Sequence, residues 1–196
     1  EGGGGERRPV PSLAGFHAQW QGSAKLDCLE RELGAMRRGG DPARKAVVFS
    51  QWTYMLDLVE VLLRRMGWRH TRLDGSMSQQ QREDALERFA TETDIPVMLL
   101  SLKAGGVGLN LTQASLVFLI DPWWNPAIEA QAIDRVHRLG QTRAVQVRRL
   151  VVRDTVEGKL LALQERKKQL AQTALQSGKL EEASKLKLED MIDFFK

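Results

Sequence analysis

A chain of 196 residues with 42% hydrophobic and 28% charged side chains has enough apolar material for one globular domain with tails, and is too short for two full domains. Its 29 Lys and Arg against 25 Asp and Glu leave a net charge of +4, a surplus that serves a nucleic acid if it clusters. Cys28 is the single cysteine, which excludes an internal disulfide framework or a multi-cysteine zinc site and suits a reducing compartment. No apolar run approaches the ~18 residues of a membrane span, and the first residues lack the apolar core of a secretory signal, so no membrane partner is expected.

Glu1 to Ser12 are Gly, Pro and charge and cannot bury enough apolar area to order; they read as linker, extended to residue 22 in the domain division, and as a start cut inside a longer chain. From Ser23 to Arg38, Leu26, Leu29, Leu33 and Met36 recur at helical spacing behind a Ser23 cap. Lys45 to Ser50 is a β-branched run, and Trp52 to Met66 returns to helical spacing. Arg69 to Leu73 reads as a strand. Ser78 to Ala90 reads as a helix opened by a Ser78/Gln81 capping box. Pro96 to Ser101 and Ser115 to Ile120 are continuous apolar runs, the pattern of strands buried on both faces, with a Gly-rich loop between them. Asn125 and Pro126 cap a helix expected through Arg138, Val145 to Val152 closes the sheet, and a last helix is expected from Asp154 to about Gln176. Strands alternating with helices predict an α/β fold, a mostly parallel sheet with helices on both faces over residues 23–152. A helical extension follows over 153–177, and 178–196 form a charged tail with a short apolar end.

The chemistry begins with an absence. No Walker A glycine–lysine loop and no Asp-Glu pair of the Walker B kind occur, so if ATP is used another domain must hold its phosphates. Within the expected helix after Pro126, Gln131, Asp134, Arg135 and Arg138 fall at i, i+3, i+4 and i+7. Two guanidiniums one turn apart can clamp a phosphoryl-transfer transition state, and equally can form a solvated face with an i, i+4 ion pair. Ser101 to Asn110 (SLKAGGVGLN) could bring backbone amides to a phosphate or be a plain tight turn. A dinucleotide fingerprint fits poorly, because no helix follows its glycines. Asp121 to Pro126 (DPWWNP) stands at the carboxyl end of an expected strand, where a tryptophan can stack on a base; Trp123 is the better candidate for core. Leu73 to Ser76 (LDGS) suits a DNA phosphate or an ordinary N-capped turn. His17, His70 and His137 are not spaced as ligands, so no metal site is expected.

Taken in order, VVFSQW (47–52), LDGSMSQQQRE (73–83), SLKAGGVGLNL (101–111), DPWWNP (121–126) and QAIDRVHRLGQ (131–141) resemble the second-lobe motifs of SWI/SNF-type ATPases of helicase superfamily 2. The wording is most similar to the DNA-repair Rad branch, some of whose members carry a RING finger upstream. The resemblance implies a RecA-like C-terminal lobe, half of a DNA-dependent ATPase and inactive alone. ATP with Mg2+ would be held by an N-terminal RecA-like lobe. It implies Arg135 and Arg138 as arginine fingers oriented by Gln131 and Asp134, with Gly106, Gly108 and Asn110 near the nucleotide. Ser50, Gly75, Ser76, Ser101 and Lys103 would lie on one strand of double-stranded DNA and Trp124 on the other. Many relatives carry Arg where this chain has Lys103, which keeps the charge and loses the bidentate geometry. Nucleosomes or DNA-repair proteins as partners, and a nuclear location, follow from the same resemblance. The competing expectation is a static DNA-binding or protein-interaction module.

Overall fold

The computed structural model describes residues 22–104 and 108–177, so all of the expected linker (1–22) but residue 22, the tail (178–196) and Gly106 lie outside the described residues. In chain order the elements are α1 (Ala24–Arg38), β1 (Lys45–Ser50), α2 (Thr53–Arg65), β2 (His70–Leu73), α3 (Gln79–Thr91), β3 (Val97–Ser101), β4 (Ala114–Leu119), α4 (Pro126–Ile133), β5 (Gln146–Arg149) and α5 (Val156–Ser177). The five strands form one sheet in the order β2-β3-β1-β4-β5, and every neighbouring pair is parallel.

Because strand side chains alternate faces, each buried strand feeds two cores. Ala46, Val48, Val97, Leu99, Leu116 and Phe118 join Leu29, Leu33, Leu56, Val59 and Leu62 of α1 and α2 on one face. Val47, Phe49, Met98, Leu100, Val117 and Leu119 join Ala85 and Phe89 of α3 and Ala132 of α4 on the other. The edge strand β5 is exposed along its length.

The ends of the helices follow local chemistry. Ser23 Oγ accepts the Leu26 N–H at 3.3 Å, and the Ser78/Gln81 capping box is complete in both directions. At the other end of α3 the buried Lys45 ammonium donates to the carbonyls of Phe89 and Glu92, neutralising the negative helix terminus. Burial lowers the Lys45 pKa against the opposing pull of Asp94 and Glu92. α5 begins at Val156 and not at Asp154, which sits in the left-handed region at φ 58; Thr155 Oγ1 instead accepts the Glu157 N–H at 3.3 Å.

His70 opens β2 half-buried. Burial depresses its pKa below the ordinary ~6.5, with Glu60 and the Trp68 carbonyl opposing and Arg64 and Arg72 assisting. A depressed folded-state pKa means the neutral ring is favoured by folding. Its contribution is therefore present above pH ~6.5 and is lost as the pH falls through the lower folded value. Urea unfolding from pH 7.5 downward should show this loss in the wild type. It should be absent from the curve of a His70→Gln variant; parallel curves would show that His70 is not its source.

Candidate functional site

The carboxyl ends of β2, β3 and β1 lie side by side, with Leu73 paired to Leu100 and Ser101 paired to Ser50. The turns leaving β2 and β3 thus form one continuous strip. After β2, Asp74 is buried and holds the turn: its Oδ1 accepts the Ser76 N–H at 2.9 Å and the Ser76 hydroxyl, while Oδ2 accepts Arg72 Nε at 2.9 Å. Arg72 also reaches Asp57 of α2, so a three-element ion network sets the LDGS turn. Burial alone would raise the Asp74 pKa, but the Ser76 hydrogen bonds and the Arg72 guanidinium outweigh it and hold the carboxyl below its usual range. Gly75, Ser76 and Lys103 stand exposed on the strip.

Ser50 and Ser101 do not. They are 0% and 3% exposed, the strand ends beneath the strip. The Ser50 hydroxyl is consumed internally, donating to Asp121 Oδ1 at 2.7 Å and accepting the Trp52 N–H at 3.0 Å, while its carbonyl accepts the Leu102 N–H at 2.9 Å. The side chains of Ser50 and Ser101, expected on a DNA strand, therefore lie beneath the strip and not on its surface. Asp121 completes this by taking the Gln51 N–H on Oδ2 at 2.8 Å. The chain leaves β1 through α2 on one face and leaves β4 through α4 on the other, which makes the β1/β4 gap a topological switch point. Asp121 closes that gap. Burial pushes its carboxyl above the usual range, opposed by the Ser50 and Gln51 hydrogen bonds.

Among its described residues the β3 to β4 connection carries no α-helix. It must cross β1, since β3 and β4 flank that strand, and it is anchored by the buried Leu102, Leu109 and Leu111 on the α3/α4 face. Gly108 has φ +66, a left-handed value that a side chain disfavours. Gly108 and Asn110 are exposed, and Asn110 Oδ1 accepts the Thr112 N–H at 3.2 Å, shaping its own turn. The next residue, Leu111, donates its N–H to the Arg135 carbonyl at 3.0 Å. The glycine-rich crossover and the arginine segment are therefore physically joined.

That segment differs from expectation in one respect. α4 ends at Ile133, with Asp134 as its C-cap, so Gln131, Asp134, Arg135 and Arg138 do not share a continuous helical face. Beyond Ile133 the chain tightens into turns, Arg135 N–H to Ala132 at 3.3 Å and Val136 N–H to Ile133 at 2.9 Å. The Gln141 side-chain amide fastens them by donating to the carbonyls of Ala114 at 2.8 Å and Val136 at 3.1 Å. Gln131, Asp134 and Arg138 are exposed and Arg135 half-buried, all at the α4 end beside the crossover.

Trp123 is half-buried against the α3/α4 core, while Trp124 is 46% exposed, its ring centroid 6.1 Å from that of Trp123. The group that sets this pair escaped the sequence reading. Glu129, in the middle of α4, is 0% exposed. Its Oε1 accepts the Trp123 N–H at 2.8 Å and Gln164 Nε2 of α5 at 2.9 Å, and its Oε2 accepts Arg149 Nε of β5 at 2.9 Å. Gln164 Nε2 also donates to the Trp123 carbonyl. A glutamate one turn into a capped helix reads as solvated, and only its partners, 20 and 35 residues on, reveal otherwise.

Residues 24–140 match the family described as Helicase conserved C-terminal domain. The chain is 49% identical over 156 residues to the DNA repair protein RAD5A of Arabidopsis thaliana, covering 80% of this chain and 15% of that protein. To the DNA repair protein RAD5 of Cryptococcus neoformans it is 52% identical over 157 residues, covering 80% and 13%. To the ATP-dependent helicase rhp16 of Schizosaccharomyces pombe it is 42% identical over 172 residues, covering 88% and 20%. The chain thus spans a fifth or less of the length of these curated relatives. Among solved structures, the C-terminal part of the Fun30 ATPase domain is similar at a TM-score of 0.69 and 36% identity, covering 74% of this chain and 46% of that one. The expected RecA-like parallel sheet and the likeness to the Rad branch are both borne out, and the chain belongs to the helicase conserved C-terminal domain family.

Proposed function

We propose that this chain is the second lobe of an ATP-driven motor that tracks along double-stranded DNA in the nucleus, residues 23–152 forming the lobe and 153–177 a brace. The observation that carries the reading is the hydrogen bond from the Leu111 N–H to the Arg135 carbonyl. It seats the arginine turn against the glycine-rich crossover at the carboxyl ends of the strands, where α/β sheets of this kind bind their ligands.

The residues fit a nucleotide's phosphates better than its metal. The segment that the Leu111–Arg135 hydrogen bond joins to the crossover carries two guanidiniums and is preceded by the Gln131 amide, donors suited to phosphate oxygens. Among the described residues no three His, Cys, Asp or Glu side chains are grouped to hold a metal ion. Mg2+ and the ATP triphosphate are accordingly assigned to a first RecA-like lobe, which supplies the phosphate cradle and charge neutralisation. Arg135 and Arg138 reach across to the transferring phosphoryl group, where charge develops. Gln131 and Asp134 orient them. Gly75, Ser76 and Lys103 hold phosphates of the tracked strand, stabilised from beneath by Ser50 and Ser101, and Trp124 meets the opposite strand.

The deciding experiment is ATP hydrolysis by the two-lobed protein that contains this chain, with and without duplex DNA. Turnover should rise with duplex at least about tenfold, or ~1.4 kcal/mol of transition-state stabilisation. DNA binding without any stimulated turnover would make the chain a static DNA-binding module instead.

A further inference from the structure

The geometry points to Glu129 as a positioning residue that couples α5 to the DNA-facing Trp124; this rests on the motor reading above. Both backbone polar groups of Trp123 are held, its N–H by the Glu129 carboxylate and its carbonyl by the Gln164 amide. The carbonyl of Trp123 belongs to the peptide plane that carries the N–H of Trp124, so fixing it fixes the direction in which Trp124 leaves the chain. Gln164 at once bonds Glu129 at 2.9 Å, and Arg149 closes the cluster from β5. Loop, α4, β5 and α5 therefore meet on one carboxylate with no exposure to solvent.

The helix that enters this cluster is built as a lever. α5 has 22 residues, about 33 Å at ~1.5 Å per residue. Its opening turn is fastened to α1 by the Lys25–Glu157 ion pair, and Glu157 Oε2 also accepts the Val152 N–H at 2.9 Å. Gln164 lies two turns further on. A force on the distal part of α5 is delivered through a rigid helix to Gln164, and from there to the Trp123 peptide. An apolar contact at this position would let α5 slide. A carboxylate with three defined donors has one preferred arrangement, and so transmits displacement in register.

The test uses the two-lobed motor with Glu129→Gln, Gln164→Ala and both together, measuring DNA-stimulated ATP turnover and duplex translocation by triplex-strand displacement on the same preparations. Glu129→Gln keeps the shape and sets an amide donor against Arg149 or Gln164. Turnover should stay within about threefold of wild type while translocation per ATP falls about tenfold or more. The double variant should be no worse than the poorer single one, because both break one contact. In a Trp124→Ala background Glu129→Gln should add no further loss. Should Glu129→Gln not fold, Gln164→Ala decides, since it leaves Glu129 bonded to Trp123 and Arg149. Turnover and translocation falling in proportion would reduce the cluster to a structural brace and overturn the inference, as would unchanged translocation in both variants. A wild type without DNA-stimulated turnover would instead strike the motor reading itself, and the inference with it.

Discussion

Replacing Arg135 or Arg138 with alanine in the two-lobed protein is expected to lower kcat for ATP by about 10³-fold or more, with ATP affinity little changed. Such a loss corresponds to roughly 4 kcal/mol of transition-state stabilisation. It follows from where charge appears: the transferring phosphoryl group spreads negative charge over its equatorial oxygens only as the bond breaks, so a donor aimed there contributes to turnover more than to binding. Lysine at either position should not restore the rate, because an ammonium lacks the planar fork of the guanidinium. On the proposed reading both guanidiniums serve one transition state, so the two losses should not add. The structure sharpens this expectation. Both arginines follow the end of α4 and are placed by turns, with the Arg135 carbonyl bonded to Leu111 and the Val136 carbonyl to Gln141. Steady-state kinetics with a parallel nucleotide-binding measurement decides it; alanine variants of both residues with wild-type kcat would remove them from the reaction.

The largest stability effect should come from Phe49→Ala, at about 3–5 kcal/mol. Phe49 is fully buried in the central strand, between Leu100 on β3 and Leu119 on β4, and packs in the core shared with Phe89. Its truncation loses the transfer free energy of the ring and leaves a cavity that flanking strands, tied on both sides, cannot collapse to fill. Against a typical total of ~5–15 kcal/mol, that is a large share. Leu139→Ala provides the contrast. Leu139 is 100% exposed and should move stability by no more than ~0.5 kcal/mol. Urea midpoints of the two variants measure both, and a Phe49→Ala loss below 1 kcal/mol would mean that β1 is not the centre of the core.

That same Leu139 shows where sequence reading stops. Ile128, Ala132, Val136 and Leu139 keep helical spacing and so imply a helix through Arg138, yet the helix ends at Ile133. Val136 is buried by a turn, and Leu139 is not buried at all. Periodicity records which residues have somewhere to go, and a turn held by Gln141 can bury one of them as well as a helix can. The strands were legible for the opposite reason: runs such as VMLLS and ASLVFL are buried on both faces and admit no other arrangement of their length. Ser23 and the Ser78/Gln81 box were legible because caps act over three or four residues. Ser50, Asp121 and Glu129 were not, since each takes its meaning from partners on other elements, and a hydroxyl spent on Asp121 looks in the sequence like one available to a phosphate.

The order β2-β3-β1-β4-β5 bears on how the chain is made. The central strand is the first to be synthesised, and its partners arrive late: Ala46 pairs with Val97 and with Leu116. At ~5–20 residues per second the ribosome needs several seconds to deliver the first of them. During that interval the KAVVFS segment, buried at every position in the finished sheet, has both hydrogen-bonding edges open. α1 and α2 are at hand to cover one face, and α3 reaches the other only shortly before β3. The nascent chain is therefore most exposed to intermolecular strand pairing before β3 emerges, and the burden on chaperones falls on the first half of the lobe.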